Sequence, residues 1–387
     1  MKIVHVHFDY DNSFQTERDL LEKYYTVTGW AEALQRKGAD VVVINRFHKD
    51  GFLEENNVQY HFIRDSLPSK LRAWHVPLKL FQKIKALDAD VIHLHHLSLA
   101  LQTYILRRSL QTKTALIIQH HGGPSPGKIK KIIYGLMNGV ADGYFFTDIA
   151  QGKEWFKTRR EFSKIMPIME GATFFNFSER NSVKTVVRNR NDDPQKVTSN
   201  NSPVFLWAGN LIVRKDPLTV LEGFQHLFAN YNKGTLFMIY QDGQLLEQVR
   251  QKINNSDVLR EHVHLIGHVS HPEMECFYKQ ADYFVSGSHA EGSGYALSEA
   301  LSCGCVPIVT NIPSFKIMTN NGQLGALWNP GDKNSFVEAA TKAINKNLAK
   351  EAQACIDFYC KNLSFDAIAQ TAIEHYKKVI SQRSNKA

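Results

Sequence analysis

Along this chain, short apolar runs alternate with longer stretches whose apolar positions recur at helical spacing. The first half offers KIVHVHF, ADVVVIN, VQYHFI, DVIHLHH, ALIIQHH and GYFFTD as strands, and the second half VFLWAGN, TLFMIY, VHLIG, DYFVSGS and VPIVT. Between them lie helical stretches such as Leu20 to Lys37, with Gly38 as a stop signal, and Ile129 to Asn138. Apolar strands separated by amphipathic helices are the pattern of parallel sheets covered on both faces. The expectation is an α/β protein with two doubly wound, Rossmann-like sheets. The stretch SERNSVKTVVRNRNDDPQKVTSNNSP, Ser178 to Pro203, is polar and charged and reads as the break between them. The expected organisation is a first domain over 1–177, a linker over 178–203, a second domain over 204–362, and a closing helix over 363–387 that packs back on the first. Ligands of such sheets bind outside the carboxyl ends of the strands, so a cleft between two facing domains is the expected site. No short-period repeat is present, which excludes solenoids and propellers.

Composition narrows the class. Of 387 residues, 43% are hydrophobic and 22% charged, as in ordinary soluble proteins. No apolar run approaches the ~20 residues of a membrane span. The opening MKIVHVHFDYDN reads as a strand and not as a signal peptide, so a cytoplasmic protein is expected. Five cysteines, an odd number, argue against a disulfide framework and for a reducing compartment. Cys303 and Cys305 form a C-x-C pair at a helix-to-strand turn, where burial as small hydrophobes is the better reading than metal binding. The net charge is +8, and residues 1–180 carry roughly six of those charges. No nucleic-acid-binding signature accompanies the excess. An anionic membrane surface or a phosphorylated acceptor is the expected partner.

Two stretches carry chemistry. In VFLWAGNLIVRKDPLTVLEGF a buried strand ends at Gly209, and Arg214 and Lys215 stand before a helix that begins near Pro217. Cations and backbone N–H groups at that place can grip a diphosphate. In HAEGSGYALSEALSCGCVPIVT two glutamates, Glu291 and Glu299, flank a turn built on Gly292 and Gly294 that opens into a helix. Converging N–H groups there bind an anion, and adjacent carboxylates call for hydroxyl donors. A nucleotide-sugar offers both.

The order AGN…RKDP, HLIGHVSHPEM…ADYFVSGS, AEGSGYALSEALSCGCVPIVT resembles the carboxyl-terminal domain of retaining glycosyltransferases of family 4, which have the GT-B fold. Glu291 and Glu299, with seven residues between them, match that family's E-x7-E signature. The amino-terminal half matches more loosely, through DADVIHLHH and IIQHHGG. The resemblance implies that Glu291 contacts donor-sugar hydroxyls and Glu299 the ribose hydroxyls. It implies that Ser293, Gly294 and Tyr295 offer backbone groups to the sugar and diphosphate, and that Gly267 and His268 hold the nucleotide base. It places a catalytic histidine at the end of an amino-terminal strand, where His121 fits best and His120 is its rival. Successive strand side chains face opposite ways, so only one of the two can face the site. His93 and His95 share a strand face and are expected to be satisfied histidines, because no carboxylate or cysteine completes a metal site.

The chain also departs from the family pattern. A Gly-Gly loop after the first strand is replaced by a region whose only glycine is Gly29, in Thr28-Gly29-Trp30. Gly209-Asn210 stands where Gly-Arg is common, which leaves Arg214 and Lys215 to carry more of the phosphate charge. The implied activity is a metal-independent, retaining transfer of a sugar from a UDP- or GDP-linked donor to a glycan or lipid-linked acceptor, as in cell-surface polysaccharide or glycolipid synthesis. No cofactor is expected. An epimerase of the same architecture and a non-catalytic partner subunit are the rival readings. Lys79, Lys83 and Lys85, with Lys128, Lys130 and Lys131, are interleaved with large apolar residues and could rest on an anionic leaflet. An ordinary amphipathic helix is the competing account.

Overall fold

The computed structural model describes residues 1–122, 125–175, 202–231 and 233–384. The expected linker lies outside these residues except for Ser202 and Pro203. The chain forms two compact units, one from Met1–Ala172 with the segment that begins at Ser364, the other from Thr173–Leu363.

The first unit is built on eight strands: β1 (Lys2–His7), β2 (Asp40–Phe47), β3 (Gly51–Glu55), β4 (Val58–Arg64), β5 (Val91–Leu94), β6 (Ala115–Gln119), β7 (Gly143–Phe146) and β8 (Ile165–Pro167). Their order in the sheet is β3-β4-β2-β1-β5-β6-β7-β8. Pairing is parallel except for β3, which runs antiparallel to β4, so this sheet is mixed and not purely parallel as expected. β3 reads GFLEE, an exposed acidic edge without an apolar run, and that is why periodicity misses it. On one face Val4, Val6, Ile92, Leu94, Leu116 and Ile118 form a core with Leu80, Phe81 and Ile84 of helix Leu78–Ala86. On the other face the alternate positions of β1 and β5 place His5 beside His93. Trp30 of helix Tyr25–Arg36 and Tyr376 of helix Phe365–Ser384 pack on these imidazoles.

The expected helix from Leu20 to Lys37 is two helices, Glu17–Lys23 and Tyr25–Arg36, broken at Tyr24. The run YYTVT at the break is aromatic and β-branched, with weak helix preference. The carboxyl-terminal helix packs against Tyr25–Arg36 at Gly29, where a Cβ would stand 2.4 Å from the Phe365 ring. Arg36 and Asp366 join the two helices at 2.7 Å.

The second unit is a parallel sheet of β9 (Val204–Ala208), β10 (Thr235–Ile239), β11 (Val263–Gly267), β12 (Tyr283–Ser286), β13 (Val306–Thr310) and β14 (Ala326–Trp328), in the order β11-β10-β9-β12-β13-β14. Phe205, Trp207, Phe224, Phe228, Trp328 and Phe336 dominate its core. The chain runs outward from β9 to β11, then returns to β12 on the other side of β9. The loops after β9 and β12 therefore leave side by side at the point where strand order reverses. Cys303 and Cys305 are buried in this unit, as read from the sequence, and burial pushes the Cys303 thiol up to about 12.

Candidate functional site

The loop after β9 ends in a 3-10 turn, Val213–Lys215, followed by Asp216 in left-handed conformation (φ +42°) and by helix Pro217–Tyr231. Asp216 accepts from the Thr219 amide with one oxygen and pairs with His289 Nε2 at 2.9 Å with the other. The His289 amide donates to the Arg214 carbonyl at 2.9 Å, and Arg214 Nη1 donates to the Ala290 carbonyl at 2.6 Å. Gly287 lets the loops close up, since a Cβ there would stand 2.8 Å from the Asp216 carbonyl. These contacts clamp the two switch-point loops together.

The clamp brings Glu291 to both cations. Lys215 Nζ lies 2.5 Å from Glu291 Oε1 and Arg214 Nη1 3.3 Å from Oε2. The Glu291 side chain is only 10% exposed, Lys215 is 20% exposed and Arg214 is 47% exposed. Burial alone would raise the Glu291 pKa, but Lys215, Ser288 and Arg214 outweigh it and hold the carboxyl below its ordinary value. Three residues assigned from the sequence to different parts of a donor thus form one charged cluster at the switch point.

Glu299 has a different setting. Helix Tyr295–Ser302 opens at Gly294 in left-handed conformation (φ +58°), and Glu299 lies beyond its first turn, too far along to act as an N-terminal helix charge. Glu299 pairs with His271 Nε2 at 3.0 Å and accepts from the Tyr278 hydroxyl at 3.0 Å. Burial and the Glu299 charge push the Tyr278 pKa well up, which keeps the phenol a donor. Sequence reading missed both partners. His271 lies within the HVSHPEM stretch, but no local pattern shows that the helix His271–Gln280 faces Glu299.

Other predicted positions surround these loops. Ser293 is buried and Tyr295 exposed beside Gly294. Gly267, at φ +79° with open space where a Cβ would be, accepts from the Tyr240 amide, and His268 follows it exposed. The Gly209 amide donates to the Ile239 carbonyl at 3.1 Å, and Asn210 is exposed at the end of β9. Thr28 and Gly29, by contrast, lie inside helix Tyr25–Arg36, with Gly29 against Phe365. The missing Gly-Gly loop is replaced by helical packing, and these two residues do not form a phosphate loop.

In the first unit His120 and His121 follow the end of β6 and differ in exposure. His120 is buried between Phe146 and Trp155. His121 is 37% exposed, shares a 2.9 Å hydrogen bond with His95 Nδ1, and has Glu170 Oε2 3.9 Å from its Nδ1. Desolvation of its inner edge, with His120 and His96 nearby, lowers its pKa. Behind it His95 Nε2 meets His5 Nδ1 at 2.7 Å, and His93 Nδ1 meets the Tyr376 hydroxyl at 2.7 Å. His5, His93 and His95 bring ligand nitrogens within 4.8 Å of one another. Beside His93 and His95, β1 supplies a third imidazole, His5, which spacing within one strand cannot reveal.

The helix Lys128–Asn138 buries only Asn138, while Ile129, Ile132, Ile133 and Leu136 are exposed, Ile129 at 76% and Leu136 at 75%. Helix Leu78–Ala86 instead buries Leu80, Phe81 and Ile84, so its lysines belong to an ordinary amphipathic helix. Among the described residues, no helix is long and apolar enough to cross a membrane.

Two family models match this chain: "Glycosyltransferase Family 4" over residues 25–158 and "Glycosyl transferases group 1" over 189–358. A UDP-Gal:alpha-D-GlcNAc-diphosphoundecaprenol alpha-1,3-galactosyltransferase of Escherichia coli is 29% identical over 157 residues, 40% of each chain. A GDP-mannose:cellobiosyl-diphosphopolyprenol alpha-mannosyltransferase of Xanthomonas campestris is 26% identical over 283 residues, 70% of this chain and 67% of that one. Among solved structures, a glycosyltransferase of Rickettsia africae superposes over 98% of both chains with a TM-score of 0.69 at 17% identity, a likeness of fold.

Proposed function

Because the chain belongs to the family 4 glycosyltransferases, we propose that it moves a sugar, with retention and without a metal on the diphosphate, from a nucleotide-sugar to a lipid-linked acceptor at an anionic membrane surface. The donor site is the switch-point cluster of the second unit. Arg214 and Lys215 would face the diphosphate, with Glu291 orienting them from behind and meeting the sugar hydroxyls. Glu299, fixed by His271 and Tyr278, would take the ribose hydroxyls, and Gly267 and His268 the base. In the step itself the bond from the anomeric carbon to the phosphate oxygen breaks as the acceptor oxygen bonds to that carbon from the same side. The acceptor proton passes to the departing phosphate, whose growing charge Arg214 and Lys215 stabilise. His121 is the acceptor-side candidate.

The observation that carries the lipid reading is the helix Lys128–Asn138. It turns Ile129, Ile132, Ile133 and Leu136 to solvent among Lys128, Lys130 and Lys131. Exposed apolar residues ringed by cations suit the headgroup region of an anionic leaflet, where each cation contributes about 1 kcal/mol. The acceptors in the names of the E. coli and X. campestris relatives, a diphosphoundecaprenol and a diphosphopolyprenol, agree with that surface. The test is co-sedimentation with vesicles, joined to transfer assays with polyprenyl-diphosphate sugars and UDP- or GDP-linked donors. Salt-sensitive binding that requires anionic lipid, with transfer to the lipid-linked acceptor, is the expected result. Transfer to free glycans only, with no vesicle binding at low salt, would replace the lipid acceptor by a soluble one.

A further inference from the structure

We propose that His5, His93 and His95 bind one borderline transition-metal dication, of which Zn(II) is the type, in a three-imidazole site inside the first unit. β1 and β5 pair with His5 opposite His93, and His95 follows two residues on, pointing to the same face. His5 and His93 are fully buried, His5 turns Nδ1 toward His95 Nε2, and the Nε2 atom of His93 has no hydrogen-bond partner. An unpaired buried nitrogen is costly, and a bound cation would take up the His93 lone pair.

The surroundings fit ligation. His93 binds the Tyr376 hydroxyl through Nδ1 and His95 binds His121 through Nδ1, which leaves Nε2 of each for a metal, with the outer nitrogen oriented by a partner. The 2.7 Å separation of His5 Nδ1 and His95 Nε2 would open to about 3.3 Å around a tetrahedral ion with N–metal bonds of about 2.05 Å. An imidazole-only set suits zinc, nickel or copper and not magnesium or calcium. His95 is only partly buried and His121 exposed, which gives an entry path. With the metal on Nε2, the His95 proton stays on Nδ1 and is donated to His121 Nε2. The His121 proton then sits on Nδ1, toward Glu170. This site is distinct from the donor cluster of the second unit and does not depend on the transfer reaction.

The test uses the whole chain free of any added histidine tag, stripped with a chelator and dialysed against Zn(II). Elemental analysis reads stoichiometry, and X-ray absorption on the loaded, unsubstituted protein counts imidazole ligands. One retained ion per chain with three imidazole scatterers is the expected result. His5→Ala and His93→Ala should each weaken binding by about tenfold or more, whereas His226→Ala, at an exposed histidine of the second unit, should not. No stoichiometric ion, or a bound ion without imidazole scatterers, would overturn the site, as would unchanged affinity in His5→Ala/His93→Ala chains of native circular dichroism. Should those variants fail to fold, the absorption spectrum of the unsubstituted protein decides alone.

Discussion

Glu291 and Glu299 stand in one motif but in opposite electrostatic settings, and this separates what their loss should do. Glu291 offsets two cations, whereas Glu299 sits among a histidine and a phenol. In Glu291→Gln, Arg214 and Lys215 lose their counter-charge, so free nucleoside diphosphate should bind as tightly as before or more tightly. Turnover should nevertheless fall by an amount of the order of a charged hydrogen bond, about 1.5–3 kcal/mol. Glu299→Gln should instead weaken donor binding while sparing turnover. Calorimetry with UDP and GDP beside steady-state kinetics checks both, and equal small effects would remove the assignment. A pH dependence follows from the same contact. The Glu291 carboxyl lies below its ordinary value near 4.5 in the folded chain, so its ion pairs stabilise fully above that value and are lost as pH falls through the lower, folded pKa. Below about pH 5, the unfolding midpoint of Glu291→Gln should therefore decline less steeply than that of the unsubstituted protein.

Two helices behave differently from their sequence pattern, and each gives a direct measurement. Gly29 looks like a loop residue in Thr28-Gly29-Trp30, yet it is the contact at which the carboxyl-terminal helix seats Phe365. A methyl group there would displace a buried ring, so Gly29→Ala should destabilise the chain by about 1–3 kcal/mol despite better helix propensity. Phe365→Leu in the same chain should recover part of that loss in chemical denaturation, whereas a loop glycine would show no such coupling. Helix Lys128–Asn138 makes the converse case. Ile129→Ser with Leu136→Ser should shift stability by no more than about 0.5 kcal/mol, because both residues face solvent. The same pair should abolish vesicle binding, as should Lys128→Glu with Lys130→Glu and Lys131→Glu. A stability loss typical of core residues would return this helix to the ordinary amphipathic account.

At the scale of the molecule, the long buried strands were legible from apolar runs, because strands covered on both faces leave no other pattern. β8 and β14 were not: three residues carry no period, and only pairing with a neighbouring strand makes them strands. Local pattern also placed Gly294 and the loop bearing Arg214 and Lys215 correctly, since turn and helix-start chemistry is local. Contacts across the sheet were invisible. Lys215 and Glu291 are 76 residues apart, and His5 lies 90 residues from His95, so strand order alone brings them together. That division yields a further expectation. The residues proposed for the donor belong to one unit and the basic apolar helix to the other, so each ligand should leave its own footprint in hydrogen exchange. A nucleoside diphosphate at about 100 times its dissociation constant stabilises by about 2.7 kcal/mol. It should slow exchange in the loops around Arg214, Gly267 and Glu291 and leave residues 128–138 unchanged. Anionic vesicles should do the reverse. Protection of residues 128–138 by UDP or GDP alone would place that helix in nucleotide binding and remove it from the membrane.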